Sequence, residues 1–132
     1  MGMIKDIWDI GKEIFDISGK LKAQKKEKKL ALSNLLQHIG EVLNDTYEKL
    51  SRNIYPGGNC EQLEVFSKEL YDILIDVIGE EKSRQLSDKL MQAHEVERLQ
   101  NDIYTGKVDI NELKLLDESS GYFIAVSKML LI

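Results

Sequence analysis

Lys5-Asp6-Ile7-Trp8-Asp9-Ile10-Gly11-Lys12-Glu13-Ile14-Phe15-Asp16-Ile17-Ser18-Gly19-Lys20 nearly repeats itself after seven residues, with Ile7-Trp8-Asp9-Ile10 returning as Ile14-Phe15-Asp16-Ile17. At roughly 100° per residue, Ile4, Ile7, Trp8, Ile10, Gly11, Ile14, Phe15, Ile17 and Leu21 fall within an arc of about 180°. Lys5, Asp6, Asp9, Lys12, Glu13, Asp16 and Lys20 fill the other half. A helix divided in this way must lay its apolar side on a partner helix, another subunit or a membrane.

The chain that follows reads as the helical body able to receive it. Gly19 is placed to end the first helix as a C′ residue, with Lys20 at the negative end of the dipole, unless the chain runs on through a kink there. The second helix must begin inside the lysine segment, where positive charge opposes the dipole. Its stripe is Leu32, Leu35, Leu36, Ile39, Leu43, Tyr47, Leu50 and Ile54, and Pro56 requires it to stop beforehand.

At the end of the loop Tyr55-Pro56-Gly57-Gly58-Asn59, Asn59 has capping-box spacing to Gln62 for a third helix. That helix buries Leu63, Phe66, Leu70, Ile73, Leu74 and Val77 and ends at Gly79. Glu80 and Glu81 suit the first turn of a fourth, and so short a turn makes the two antiparallel neighbours. The fourth helix carries Leu86, Leu90, Ala93, Val96 and Ile103, with Glu97 and Gln100 near core positions, and Gly106 ends it. Asp109 with Glu112 forms another capping box and Val108 with Leu113 a hydrophobic staple. The last helix aligns Leu113, Leu116, Ser120, Phe123, Ile124, Ser127, Leu130 and Leu131. Small Ser120, Gly121 and Ser127 would admit a neighbouring helix closely.

These spacings of three and four predict an all-α fold: an antiparallel four-helix bundle with an additional N-terminal amphipathic helix. A solenoid would need longer internal repeats. At 132 residues, the chain is one domain with room for a real core. It reads as the N-terminal module of a longer protein or as a complete small one. Met1-Gly2 before Met3 resembles a cloning scar, and the final apolar run stops without a cap.

Composition narrows the function. No apolar run approaches the roughly 18 residues that span a bilayer, and no signal-peptide pattern opens the chain. Gly2 also fails the myristoylation pattern, because Asp6 stands where Ser or Thr is required. Cys60 is the sole cysteine, so no intramolecular disulfide can form, and the expected location is cytoplasmic. Lys20, Lys22, Lys25, Lys26, Lys28 and Lys29, opposed only by Glu27, give one segment a charge of +5. The whole chain carries -5, so the remainder carries -10. So acidic a body argues against nucleic acid as a partner.

Catalytic signatures are missing: no HExxH, CxxC, GxSxG or phosphate-binding glycine loop occurs. His38 with Glu41 and His94 with Glu97 share an H-x-x-E spacing. Carboxylate-bridged di-iron bundles use the reverse order with two further inward glutamates. Ordinary polar side chains therefore explain the spacing better, and neither a metal nor another cofactor is expected. Cys60 near a helix N-terminus has the setting of an activated thiol, but no histidine is near it in sequence, and a small packing residue is the simpler reading. No enzymatic activity is expected.

Two classes remain. The first is a non-catalytic protein–protein interaction or oligomerisation module of a signalling protein, with a protein partner or a second copy as its target. The second is a membrane-associating or membrane-perturbing bundle acting at an acidic membrane surface as a peripheral protein. In general layout the second is similar to the HeLo or MLKL-like bundles of cell-death proteins, a likeness of architecture from which no site residue is carried over. For either class the candidate interaction residues are Ile7, Trp8, Ile14, Phe15, Lys22, Lys25, Lys26, Lys28 and Lys29. Trp8 and Phe15 also read as a bundle-facing core pair, and the lysines as a solvated helix face.

Overall fold

The computed structural model describes residues 3–54, 56–91 and 110–132, with side chains described from residue 5 in the first helix and from residue 113 in the last. Among them all regular structure is helical: α1 (Met3–Asp16), α2 (Ser18–Lys22), α3 (Lys26–Ser51), α4 (Gly57–Ile78), α5 (Glu80–Met91) and α6 (Ile110–Met129). The expectations for Ala93 to Asp109, His94 and Glu97 included, and for the Glu112 side chain lie outside the described residues.

The first break falls at Ile17, two residues before the expected glycine. Ile17 takes φ −94 and ψ 7, yet its N–H still reaches Glu13 O at 3.0 Å, and its carbonyl accepts from Lys20 and Leu21. Gly19 lies inside α2 and has no left-handed φ. Burial of Ile17 and Leu21 explains the shift, because these anchors hold the chain against the bundle past Asp16. The lysine segment is thereby divided among α2, a turn and the start of α3, whose N-cap is extended Lys25.

α3 closes on a Schellman motif. Ile54 N–H reaches Lys49 O at 2.8 Å and Asn53 N–H reaches Leu50 O at 3.1 Å, with Asn53 left-handed at φ 58. Ile54 therefore lies beyond the helix and is exposed rather than part of the buried stripe. α4 starts at Gly57, three residues earlier than expected, because Pro56 rather than Asn59 occupies its N-cap and its carbonyl accepts from Cys60 N–H. Asn59 is consequently inside the first turn and buried, while Gln62 is exposed, so no capping box forms. Gly79 does end α4, at φ 90, and Glu80 and Glu81 open α5 as expected.

Residue pairings give the helix directions. Ser67 meets Ser87 and Tyr71 meets Arg84, so α4 and α5 are antiparallel. Asn59 meets Asp45 and Lys28 meets Asp76, which sets α3 against α4 in the same manner. Ser127 meets Ser33 and Ser120 meets Gly40, so α6 is antiparallel to α3. α1 packs on α6 and touches α5, where Lys82 pairs with Glu13 at 2.6 Å. Its Ile7, Ile10, Ile14 and Ile17 join the core that holds Leu36, Leu63, Leu74, Leu90 and Phe123. As expected, the N-terminal helix packs on the body.

Small residues set the closest approaches. Ser33 and Ser127 exchange hydroxyl bonds to each other's backbone carbonyls at 2.9 and 2.7 Å. Ser120 donates to Gly40 O at 2.6 Å, and a Cβ on Gly40 would come 3.1 Å from Ser120 O. Ser119 donates to Ile7 O at 2.8 Å beside Gly11. Gly121, expected in this seam, is exposed with open space around it, and Ser119 serves instead. Leu131, expected on the buried stripe, follows the end of α6 and is exposed.

Candidate functional site

The divided face of α1 is narrower in the fold than in the sequence. Ile7, Ile10, Gly11, Ile14, Ile17 and Leu21 are buried, an arc of about 120° at 100° per residue. Trp8 and Phe15 stand roughly 100° and 80° from Ile7 on that wheel, on the flank that faces α6 and solvent. They are therefore not a core pair: Trp8 is half-buried and Phe15 is 44% exposed.

Together with Tyr122 of α6 they make an aromatic shelf. The Tyr122 ring lies 5.6 Å from Phe15 and 6.4 Å, edge-on, from Trp8. The Trp8 Nε1–H donates to Glu118 Oε2 at 3.1 Å, and Lys12 Nζ sits 5.5 Å over the Trp8 ring. An indole hydrogen-bonded through its N–H and met edge-on by Tyr122 is held in one orientation, which lowers the ordering cost of binding against it. Lys12, Glu118 and Tyr122 were not among the residues expected here. Their only sequence signal is amphipathic position, which does not say which helix they will meet.

Of the other α1 candidates, Ile7 and Ile14 are wholly inside, so any surface they form requires α1 to leave the bundle. Four buried isoleucines make that departure expensive, on the order of 6–12 kcal/mol before chain entropy is counted.

The lysine candidates gather at the end of the bundle where α3 begins and α6 ends. Lys22, Lys25 and Lys26 are exposed, and Lys28 and Lys29 are half-buried. Lys28 pairs with Asp76 at 3.5 Å. Lys26 and Lys29, with Leu30, Leu130, Leu131 and Ile132, line a shallow cleft of about 270 Å3. Leu30 is 43% exposed at its rim. Leu30 was missed in the sequence because it adjoins the Leu32 stripe and reads as its start.

The most connected polar group is structural. Buried Asn59 accepts from Lys49 Nζ at 2.9 Å and donates to Asp45 Oδ2 at 2.9 Å and Thr46 Oγ1 at 3.0 Å, fastening α4 to α3. The Asn59 hydrogen bond, then Lys49, holds the Asp45 carboxyl below its ordinary range. Tyr71 of α4, and then Glu80, raise the guanidinium of Arg84 on α5 above its usual value. His38 is exposed and stacks on Phe66 at 6.2 Å, while Glu41 accepts from Gln37. Cys60 is buried in the first turn of α4. Among the described residues no three His, Cys, Asp or Glu side chains are grouped to hold a metal, and no helix is long and apolar enough to cross a membrane.

Comparison of the chain with family models, with curated proteins and with solved structures finds no match.

Proposed function

We propose that the chain is a non-catalytic helical-bundle interaction or oligomerisation module of a cytoplasmic signalling protein. The scaffold for that role is an antiparallel four-helix bundle of α3 to α6 with α1 added at its N-terminal side. The observation that carries the reading is the aromatic shelf. Exposed Phe15, Tyr122 tilted against it and oriented Trp8 form an apolar surface between Lys12 and Glu118. Aromatic side chains with charged neighbours are the composition of interface hot spots, where rigid rings add contact area at small entropic cost. A photoreactive phenylalanine derivative at position 15, expressed in the source cells, tests it. Discrete protein adducts that vanish on Tyr122→Ala support the reading. Adducts no different from those of the same probe at exposed Glu48 overturn it.

A second reading has its own support. Exposed lysines lie beside exposed Leu30 at one end, an arrangement suited to a peripheral contact with acidic lipid at about 1 kcal/mol per lysine. In this reading the bundle is a membrane-associating effector, and deeper insertion would require release of α1. The burial of Ile7, Ile10 and Ile14 ranks it second, because the resting fold withholds the apolar side of α1.

A further inference from the structure

We infer that the chain associates head to tail with a second copy of itself, the lysine-rimmed cleft of one copy receiving the acidic outer ridge of α4 on the next. The inference rests on the interaction-module reading and adds to it a self-association contact apart from the aromatic shelf.

The cleft is the first half of the contact. Lys26 and Lys29 flank Leu30 and Leu131, and among the described residues neither lysine has an ion-pair partner. Both lie in the first turn of α3, so the positive end of that helix dipole adds to their field. The nearest segment acid, Glu27, is exposed and leaves the segment at +5.

The outward face of α4 is the second half. At roughly 100° per residue, Glu61, Val65, Glu69, Asp72 and Asp76 fall within an arc of about 80°, and all are exposed. Val65 is 54% exposed, beside a shallow depression lined by Gly58, Glu61, Gln62 and Phe66. One lysine, Lys68, flanks the ridge. A leucine between lysines thus has its counterpart in a valine between carboxylates: apolar centre against apolar centre, opposite charge around each.

The chemistry favours a second copy over acidic lipid. Asp76, at the far end of the ridge, lies beside Lys28 of the lysine segment. A membrane is an unbroken negative plane that would press on Asp76 as well as on the lysines, whereas the ridge of a second copy is one helix wide, roughly 10 Å, and brings exposed Val65 to face Leu30. In the head-to-tail arrangement each copy keeps one cleft and one ridge free, so the contact extends into rings or open chains.

Sedimentation equilibrium on the whole chain tests this, using Lys26→Gln/Lys29→Gln and Glu61→Gln/Glu69→Gln, with circular dichroism to verify the helices. Wild type should rise above the monomer mass of 15.1 kDa with concentration and fall back at high salt. Each variant should associate about tenfold more weakly. An equimolar mixture of the two should stop at a 1:1 pair, since one good contact remains. Wild type that associates equally well with either pair replaced would overturn the head-to-tail surfaces while leaving the module reading intact. A wild-type chain that stays at 15.1 kDa overturns the inference outright. So does a monomer that floats with phosphatidylserine vesicles through Lys26 and Lys29, which would assign the cleft to lipid.

Discussion

Replacing Gly11 by alanine should loosen the joint between α1 and α6. A Cβ at this position would stand 2.8 Å from Ser119 Oγ and 3.2 Å from Ser119 Cα and O. The hydroxyl can rotate aside, but doing so gives up its 2.8 Å bond to Ile7 O, worth about 0.5–1.5 kcal/mol. The backbone atoms cannot rotate, so α1 must move outward by some tenths of an ångström, an overpacking cost of about 1–3 kcal/mol. Against this, alanine is a better helix former than glycine by about 1 kcal/mol. The balance is a destabilisation of roughly 0.5–3.5 kcal/mol, or a fall in Tm of about 2–14 °C for a chain of this size. Gly19→Ala is the internal control. Nothing lies within 4 Å of its Cβ position, so the same substitution should stabilise by a few tenths to about 1 kcal/mol. Urea titrations read by circular dichroism measure both. On a Ser119→Ala background the nearest obstruction is gone, and Gly11→Ala should cost about 1 kcal/mol less, a coupling expected of touching residues. If Gly11→Ala instead stabilised as much as Gly19→Ala, the close approach of α1 to α6 would be refuted.

Three other outcomes are expected. Among the described residues buried Ser83 Oγ has no hydrogen-bond partner, so Ser83→Ala should raise stability by about 1 kcal/mol, measured as a higher urea midpoint at unchanged slope. Because the folded-state pKa of Asp45 is held below its ordinary 3.8 by Asn59 and Lys49, its stabilisation is complete above the unfolded value and is lost as pH falls through the folded one. The stability difference between wild type and Asp45→Asn should accordingly be constant near neutrality and shrink in acid below about pH 4; a difference growing in acid contradicts the network. Flotation with neutral vesicles should recover little protein at any salt, since Ile7, Ile10 and Ile14 are buried in the resting fold; strong recovery in high salt would show that α1 leaves the bundle readily.

Local physics was readable from the residues alone. The seven-residue near-repeat of α1, the stripe from Leu32 to Leu50, the stop before Pro56 and the turn at Gly79 all depend on neighbours within a few positions. For that reason the all-α class and the docking of the N-terminal helix were legible. The lysine segment was equally plain as a block of charge in which a helix was expected to begin, and the structure puts the start of α3 at Lys26.

What tertiary structure decided was which part of each apolar arc would be covered. An arc of about 180° on α1 offers two flanks. Only the arrival of α6, through Ser119 and Tyr122 more than a hundred residues later, buried Gly11 and left Phe15 outside. The same holds for Asn59. Its spacing to Gln62 suggested a cap, but Asp45, Thr46 and Lys49 on the adjoining helix offered a buried amide a fuller set of partners. Seam residues such as Ser33 and Ser127 are small and polar in sequence, and become helix glue only where two backbones meet. Periodicity reports how a helix is divided, since it arises from one chain's own geometry. The neighbour on each side, and hence every candidate surface here, depends on distances between residues that sequence separation does not encode.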